Sequence, residues 1–181
     1  MTAVFKRAWC AAVLVAAASV GHAALKPGAQ APVFKTEAAR AGQAFAFDMA
    51  EALRKGPVVL YFFPKAFTEG CTIEAHAFAE ATPQFGKLGA TVVGISHDDI
   101  ATLKKFSTEA CRDQFAVASD ASAATIRAYD AGSASRPGTA SRISYVIDRD
   151  GKVAFAHEGS DPLQHVELTL RAVQRLNAAK P

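Results

Sequence analysis

Cys71 and Cys111 are the residues of this chain whose types most directly suggest chemistry. A cysteine attacks as the thiolate, and an ordinary cysteine with a pKa near 8.5 is only about 3% ionised at neutral pH. Cys71 stands between an apolar run and a segment with helical character. The start of a helix offers free backbone N–H groups and the positive end of the helix dipole, which favour a thiolate. The sequence therefore predicts a reactive cysteine at position 71.

The residues just before Cys71 carry further groups suited to thiol chemistry, in the run Pro64-Lys65-Ala66-Phe67-Thr68-Glu69-Gly70-Cys71. Thr68 has a hydroxyl that can donate to the thiolate or to a substrate oxygen. Gly70 allows a tight turn and an accessible sulfur, and Pro64 can end a strand and shield a pocket. The alternative is a buried, inert cysteine, because free cysteine is among the most buried residue types. This setting favours the reactive cysteine.

Hydrophobic periodicity and turn residues predict strands that alternate with helices after residue 30. The apolar run at 58–63 is rich in β-forming residues and suits a central strand that is covered on both faces. The predicted elements are a hairpin (32–37 and 44–47), a helix (48–55), the strand 58–63, a helix from 71 or 72 to 88 that Pro83 bends or breaks, a strand (90–96), a helix (98–110), a strand (115–119), a helix (122–129), a hairpin (143–147 and 152–157) and a helix (161–177). This order predicts an α/β fold: a thioredoxin-like sandwich with a mixed central β-sheet, flanking helices and an N-terminal β-hairpin.

The first residues have the pattern of a cleavable secretory signal. Lys6 and Arg7 precede an apolar run at 8–20, and Gly21-His22-Ala23 ends it with small residues at its first and third positions. A membrane anchor is the alternative, but the apolar run is too short to span a bilayer. We expect residues 1–23 to be a signal peptide, residues 24–181 to form the working domain, and the location to be periplasmic or secreted. The third cysteine, Cys10, leaves with the signal.

Charge and composition argue against several classes of partner. Without Lys6 and Arg7, 18 of the 20 basic residues remain against 17 acidic residues, which gives a net charge of +1. That balance does not indicate nucleic-acid binding, and no later stretch is apolar enough to span a membrane. Cys71 and His76 do not have the spacing of a tetrahedral zinc site. We therefore expect no cofactor, metal, nucleic acid or membrane partner after removal of the signal.

The spacing Pro64-x-x-x-Thr68-x-x-Cys71 resembles the active-site motif of the peroxiredoxins. The residues that follow Cys71 resemble the bacterioferritin-comigratory-protein, or peroxiredoxin Q, subfamily, and they are Thr72-Ile73-Glu74-Ala75 and Phe78. The similarity begins at Gly28-x-x-Ala31-Pro32-x-Phe34 and extends to the last helix. The resemblance implies a thiol-dependent peroxidase for hydrogen peroxide and organic hydroperoxides, with a role in antioxidant defence.

The resemblance also implies a role for each matching residue. Cys71 would be the peroxidatic cysteine, which attacks a peroxide oxygen and becomes a sulfenic acid. Thr68 would hold the peroxide, and Pro64 would pack over the thiolate. Arg142 matches the arginine at the start of a late strand, and it would stabilise the thiolate and the charge on the leaving oxygen. Arg136 is the second choice for this arginine, and a surface arginine at a strand end is the alternative for either residue.

Two positions depart from the subfamily pattern. Glu69 replaces a common proline, and we expect its carboxylate to face solvent. His76 occupies the position where many members have a resolving cysteine. Cys111, at the end of the helix predicted at 98–110, is the remaining candidate. Some members have the resolving cysteine on the corresponding helix, so the resemblance implies a Cys71–Cys111 disulfide that forms after the helix around Cys71 unwinds locally. We expect Arg112 to help keep the Cys111 thiolate available. If Cys111 is instead inert, an external thiol must reduce the sulfenic acid.

Two other functions are compatible with a thioredoxin-like fold. A thiol–disulfide oxidoreductase or electron carrier usually has a Cys-x-x-Cys motif, and a copper-handling module usually has two close cysteines. The sequence contains neither pattern. A peroxidase needs both Thr68 and Arg142, whereas the other two functions do not. The expected partners of a peroxidase are a peroxide and a thioredoxin-like or other thiol reductant. No long C-terminal arm is present to carry a resolving cysteine across a dimer, which favours a monomer.

Overall fold

The computed structural model describes residues 24–179, so the predicted signal at 1–23 lies outside the described residues. Seven strands form one sheet in the order β2-β1-β5-β4-β3-β6-β7. The elements are β1 (Lys35–Arg40), β2 (Gln43–Asp48), α1 (Met49–Lys55), β3 (Val58–Phe62), α2 (Glu69–Lys87), β4 (Thr91–Ser96), α3 (Ile100–Glu109), β5 (Ala116–Ser119), α4 (Ala124–Ala128), β6 (Ile143–Ile147), β7 (Val153–Glu158) and α5 (Pro162–Ala178). The predicted mixed sheet and N-terminal hairpin are confirmed.

The sheet is covered on both faces, as the continuous apolar run of β3 predicts. Val59 and Tyr61 face one apolar cluster, to which α2, α3 and α5 contribute. Val58, Leu60 and Phe62 face the other cluster, which includes side chains of α1 and α4. The alternation follows from the period of two in a strand, and it buries every residue of β3.

Strand pairing places the ends of β3 and β6 side by side. β3 is parallel to β4 and antiparallel to β6, with Phe62 opposite Ile143. The segment that follows β3 therefore lies next to the residue that precedes β6, which is Arg142. This register brings the 64–71 segment and Arg142 together although they are far apart in sequence.

Helix α2 begins earlier than predicted and continues through Pro83. Thr68 is its N-cap in an extended conformation, so Cys71 is the third helical residue. Proline in a helix interior costs about 3 kcal/mol because it lacks an N–H and crowds the preceding turn. Phe78 and Phe85, on either side of Pro83, are fully buried with ring centroids 6.2 Å apart, and we attribute the continuity of the helix to this burial.

Among residues 24–179, no helix is long and apolar enough to cross a membrane.

Candidate active site

Cys71 lies in the first turn of α2, buried beneath the 64–70 segment. Only 2% of its surface is exposed, and it is a free thiol. The positive backbone angle in this segment is at Phe67, where φ is 64°, and not at Gly70. The tight turn that the sequence suggested for Gly70 therefore occurs before Thr68.

Gly70 has a different purpose in the structure. A Cβ atom at this position would lie 3.1 Å from Nη2 of Arg142, which is tighter than most Cβ contacts. The missing side chain makes room for the guanidinium group to approach the start of α2. Nη2 of Arg142 then lies 3.5 Å from Sγ of Cys71, within hydrogen-bonding distance of a sulfur.

Glu74 completes the environment of Arg142 from the next turn of α2. Its carboxylate is fully buried, and Oε2 accepts a short hydrogen bond from Nη1 of Arg142. Burial raises the pKa of Glu74 to about 8, although the charge of Arg142 and its hydrogen bond act in the opposite direction. Arg142 therefore contacts two acidic groups, the Cys71 thiol and the Glu74 carboxyl group, and both can carry negative charge.

Thr68 and Pro64 lie in the segment that leads to the cysteine. Thr68 is exposed, and its hydroxyl donates to the carbonyl oxygen of Lys65 at 3.0 Å rather than to Cys71. With its proton engaged, its oxygen can accept a hydrogen bond from another group. Pro64 is half-buried and lines a cavity of about 440 Å³ beside Arg142. Glu69 is exposed, as expected.

The cavity beside Arg142 is lined mainly by residues with polar side chains. Apart from Pro64, its lining residues carry hydroxyl groups, charges or no side chain, and they are Ser133, Ser135, Arg136, Ser141, Arg142, Glu158, Gly159 and Ser160. Arg136, the second choice for the functional arginine, lines this cavity with an exposed side chain, whereas Arg142 reaches the sulfur. The cavity offers hydrogen-bonding groups next to Arg142.

Asp98 holds the 64–68 segment in place, a role that the sequence did not suggest. Its Oδ2 accepts hydrogen bonds from the Ala66 N–H and the Ser96 hydroxyl, each at 2.8 Å. The neighbouring Asp99, by contrast, is the N-cap of α3. Asp98 thus joins the segment to the end of β4.

Cys111 is fully buried in the turn after α3, in the same apolar cluster as Cys71. The expectation that Arg112 keeps the Cys111 thiolate available is wrong. Arg112 instead pairs with Glu80 at 3.1 Å. Burial, and to a smaller extent the charge of Asp113, raises the pKa of the Cys111 thiol well above its ordinary value.

Two functional candidates besides Asp98 were missed by the sequence reasoning, namely Glu74 and His165. Glu74 was noted only for its resemblance to the subfamily, although Cys71, Glu74, Ala75 and Phe78 have the spacing of one buried helix face. A carboxylate on such a face is a signal for a buried partner. His165 is fully buried, with Nδ1 3.9 Å from Oε1 of Glu74. Within residues 24–179 there is no cluster of three or more residues suited to hold a metal ion.

Comparisons with known proteins agree with this geometry. Residues 27–156 match the AhpC/TSA family. The chain is 36% identical over 121 residues to peroxiredoxin Q, chloroplastic, of Triticum aestivum, which covers 66% of this chain and 55% of that protein. It is 37% identical over 103 residues to the putative peroxiredoxin MT1643 of Mycobacterium tuberculosis, which covers 56% of this chain and 66% of that protein. The match spans little more than half the length of the plant relative.

The structural comparison agrees as well. The crystal structure of peroxidoxin BcpB from Mycobacterium tuberculosis superposes with a TM-score of 0.76 and 28% sequence identity, and the match covers 87% of this chain and 99% of that one. The predicted thioredoxin-like peroxiredoxin fold is thereby confirmed. With most of the chain matched by the family and the fold shared with its structures, this protein belongs to the AhpC/TSA family.

Proposed function

We propose that this chain is a thiol-dependent peroxidase, with a role in antioxidant defence, that reduces hydrogen peroxide and organic hydroperoxides through Cys71. The observation that carries the proposal is the 3.5 Å contact between Nη2 of Arg142 and Sγ of Cys71 in the first turn of α2. A guanidinium group and free helix N–H groups together favour a thiolate at this position. Membership of the AhpC/TSA family supports the same activity.

The reaction requires a nucleophile and a place for negative charge. The Cys71 thiolate attacks one peroxide oxygen, so an S–O bond forms as the O–O bond breaks. Sulfur is oxidised to a sulfenic acid, and the other oxygen leaves as an alkoxide or hydroxide that takes a proton from solvent to become an alcohol or water. Arg142 stabilises the charge that develops on the leaving oxygen, as donors do in an oxyanion hole.

Thr68 holds the peroxide in this scheme, and Pro64 packs over the thiolate. The Thr68 hydroxyl donates to the carbonyl oxygen of Lys65, so its oxygen is available to accept a hydrogen bond from the O–H group of the peroxide. Pro64 lines the cavity beside Arg142 and keeps competing N–H donors away from the sulfur. The cavity is the route by which the peroxide reaches Arg142.

Cys111 resolves the sulfenic acid in this proposal, which gives an intramolecular Cys71–Cys111 disulfide and releases water. Both thiols lie in the same apolar cluster, together with Tyr61. Because burial keeps Cys111 protonated, the turn that contains it must open before it attacks. A thioredoxin-like or other thiol then reduces the disulfide.

Export and a monomeric state complete the proposal. The basic and apolar pattern of residues 1–23 supports export to the periplasm or to the outside of the cell, where thiol pairs can oxidise. Fractionation of cells that express the full chain tests this: a shortened protein in the exported fraction is expected, and a full-length cytoplasmic protein contradicts it. Sedimentation at several concentrations tests the monomer, and a stable dimer contradicts it.

The activity is tested by hydrogen peroxide consumption with dithiothreitol as the thiol donor. The wild-type protein is expected to consume peroxide and Cys71→Ser to be inactive. Cys111→Ser is the matched control, since it removes the other buried thiol and dithiothreitol can reduce the sulfenic acid directly. Wild-type activity in Cys71→Ser contradicts the proposal.

The resolving step is tested by mapping disulfides after one equivalent of peroxide. A peptide pair joined through Cys71 and Cys111 is the expected product. Persistent Cys71 sulfenic acid with a free Cys111 thiol contradicts the intramolecular step and leaves the peroxidase activity itself intact.

A further inference from the structure

His165 of α5 is a fully buried histidine that has no part in the proposed reaction of Cys71 with peroxide. Its Nε2 lies 3.0 Å from the carbonyl oxygen of Gly159, and its Nδ1 lies 2.8 Å from the hydroxyl oxygen of Ser144. A carbonyl oxygen can only accept, so Nε2 must carry the proton of this contact. Burial lowers the pKa of His165 to about 4, so the ring is neutral and Nδ1 accepts from the Ser144 hydroxyl. The tautomer is therefore fixed by its two partners.

The Gly159 contact leads directly to the main chain of Arg142. The N–H of Gly159 donates to the carbonyl oxygen of Arg142 at 3.3 Å. A Cβ atom at Gly159 would lie 2.9 Å from Nε2 of His157, so the histidine side chain would have to shift. One peptide segment thus receives a hydrogen bond from His165 on one side and gives one to Arg142 on the other.

The opposite edge of the imidazole faces the side chain of Glu74. Nδ1 of His165 lies 3.9 Å from Oε1 of Glu74, the carboxylate oxygen without a hydrogen-bond partner among the described residues. The other oxygen of Glu74 accepts from Arg142. Ser144, the partner of Nδ1, lies in β6 two residues after Arg142. His165 therefore borders both supports of Arg142, its backbone partner Gly159 and its side-chain partner Glu74.

We propose that His165 is a positioning residue that fixes Arg142 against Cys71, by its hydrogen bond to Gly159 and by its packing against Glu74. The role in peroxide reduction rests on the proposed function. His165 itself does not touch the sulfur; it acts through Arg142. A shift of Arg142 by about 1 Å would weaken its contact with the sulfur and with the leaving oxygen, and misplacements of that size can cost about a hundredfold in rate.

Two conservative substitutions separate the two nitrogen atoms of His165. In His165→Gln the side-chain amide reaches the position of Nε2 and can still donate to Gly159. In His165→Asn the shorter amide reaches only the position of Nδ1, so the bond to Gly159 is lost. We expect His165→Asn to lower the rate constant for peroxide about tenfold or more, and His165→Gln to stay within about threefold of wild type.

The readout is the reactivity of Cys71 itself, measured both with hydrogen peroxide and with iodoacetamide on the reduced, full-length protein. Both rates should follow the same order among the variants, because both depend on Arg142 at the sulfur. His76→Gln is the matched control: His76 lies on α2, outside the hydrogen bonds described for His165, and its replacement should leave both rates unchanged.

The outcomes are distinct. Equal rates in His165→Asn, His165→Gln and wild type overturn the proposal, and so do equal losses in the two variants when both are folded by circular dichroism. If the wild-type protein does not reduce peroxide but iodoacetamide still separates the two variants, the proposed function fails and the positioning role stands.

The wild-type protein supplies a test that needs no substitution. Nitrogen NMR of labelled histidine should find His165 with a proton on Nε2 and none on Nδ1 at neutral pH. The same state should persist to about pH 5, because burial lowers the pKa of His165 to about 4. A proton on Nδ1 instead of Nε2 overturns the proposal, since the bond to Gly159 is then absent.

Discussion

Replacement of Glu74 by glutamine should change how the reactivity of Cys71 depends on pH. Burial raises the pKa of Glu74 to about 8. Below that pH the carboxyl group is neutral and the charge of Arg142 acts on the sulfur without compensation. Above it, the carboxylate cancels much of that charge. His165 of α5 also faces Glu74, and Tyr61 of β3 interacts with Glu74 electrostatically.

The size of the effect follows from the titration. With a pKa of about 8, the protonated fraction of Glu74 falls from about 90% at pH 7 to about 10% at pH 9. Glutamine remains neutral throughout. The ratio of the variant's rate constant to that of the wild type should therefore rise by up to about ninefold over this range.

The assay is a single-turnover reaction of each reduced protein with hydrogen peroxide, quenched with acid and followed by the loss of the Cys71 thiol at pH 6, 7, 8 and 9. A ratio that rises through pH 8 supports the role of Glu74. Parallel pH profiles for the two proteins refute the reasoning, because a change in the charge of Glu74 would then have no effect on the reactivity of the Cys71 sulfur.

The same substitution gives a stability test with a defined sign. Between the ordinary carboxyl pKa of 4.5 and the raised value of about 8, the folded state binds more protons at Glu74 than the unfolded state. The free energy of unfolding of the wild type should therefore fall as the pH rises through this window, relative to Glu74→Gln, and the difference should level off above it. Urea unfolding at pH 5, 7 and 9 measures it, and a constant difference contradicts the burial argument.

Three further predictions follow from the site. Gly70→Ala places a Cβ 3.1 Å from Arg142 and should lower the rate constant for peroxide about threefold to tenfold. Gly86→Ala is the control on the same helix, because its Cβ meets nothing within 4 Å and the rate constant should stay unchanged. Equal rates in the two variants contradict the role of Gly70. Asp98→Ala removes the acceptor of two hydrogen bonds, so the rate constant for peroxide should fall. The free energy of unfolding, measured with urea, should fall by about 2 kcal/mol. Unchanged stability contradicts the role of Asp98 in holding the 64–68 segment. The hydroxyl and charged groups that line the cavity should give a higher kcat/KM for hydrogen peroxide than for cumene hydroperoxide, and the reverse order would mean that the substrate binds elsewhere.

Much of the fold follows from local sequence patterns. The apolar run at 58–63 predicted the central strand. The last helix, predicted at 161–177, begins at Pro162 with Asp161 as its cap. The boundaries near the site were less predictable. Pro83 was expected to bend or break α2, but the fully buried rings of Phe78 and Phe85 on either side depend on tertiary packing that a local rule does not include.

Some residues of the site were predictable from local spacing, and others depend on contacts between distant parts of the chain. The spacing of Pro64, Thr68 and Cys71 is local, so the motif is visible in the sequence. Asp98 and His165 act through contacts with residues distant in sequence, and a residue type alone does not reveal which buried face it meets. Arg112 illustrates the same limit: it is adjacent to Cys111 in sequence, but its side chain pairs with Glu80.

Trapping of the sulfenic acid tests most directly whether the Cys71 sulfur is the atom that peroxide oxidises first. Reduced Cys111→Ser protein is mixed with one equivalent of hydrogen peroxide in the presence of dimedone, and the modified peptide is identified by mass spectrometry. We predict near-stoichiometric dimedone on Cys71 and none in Cys71→Ser. Protein that consumes the peroxide without an adduct at Cys71, or an adduct on Cys111 in the Cys71→Ser protein, would contradict it.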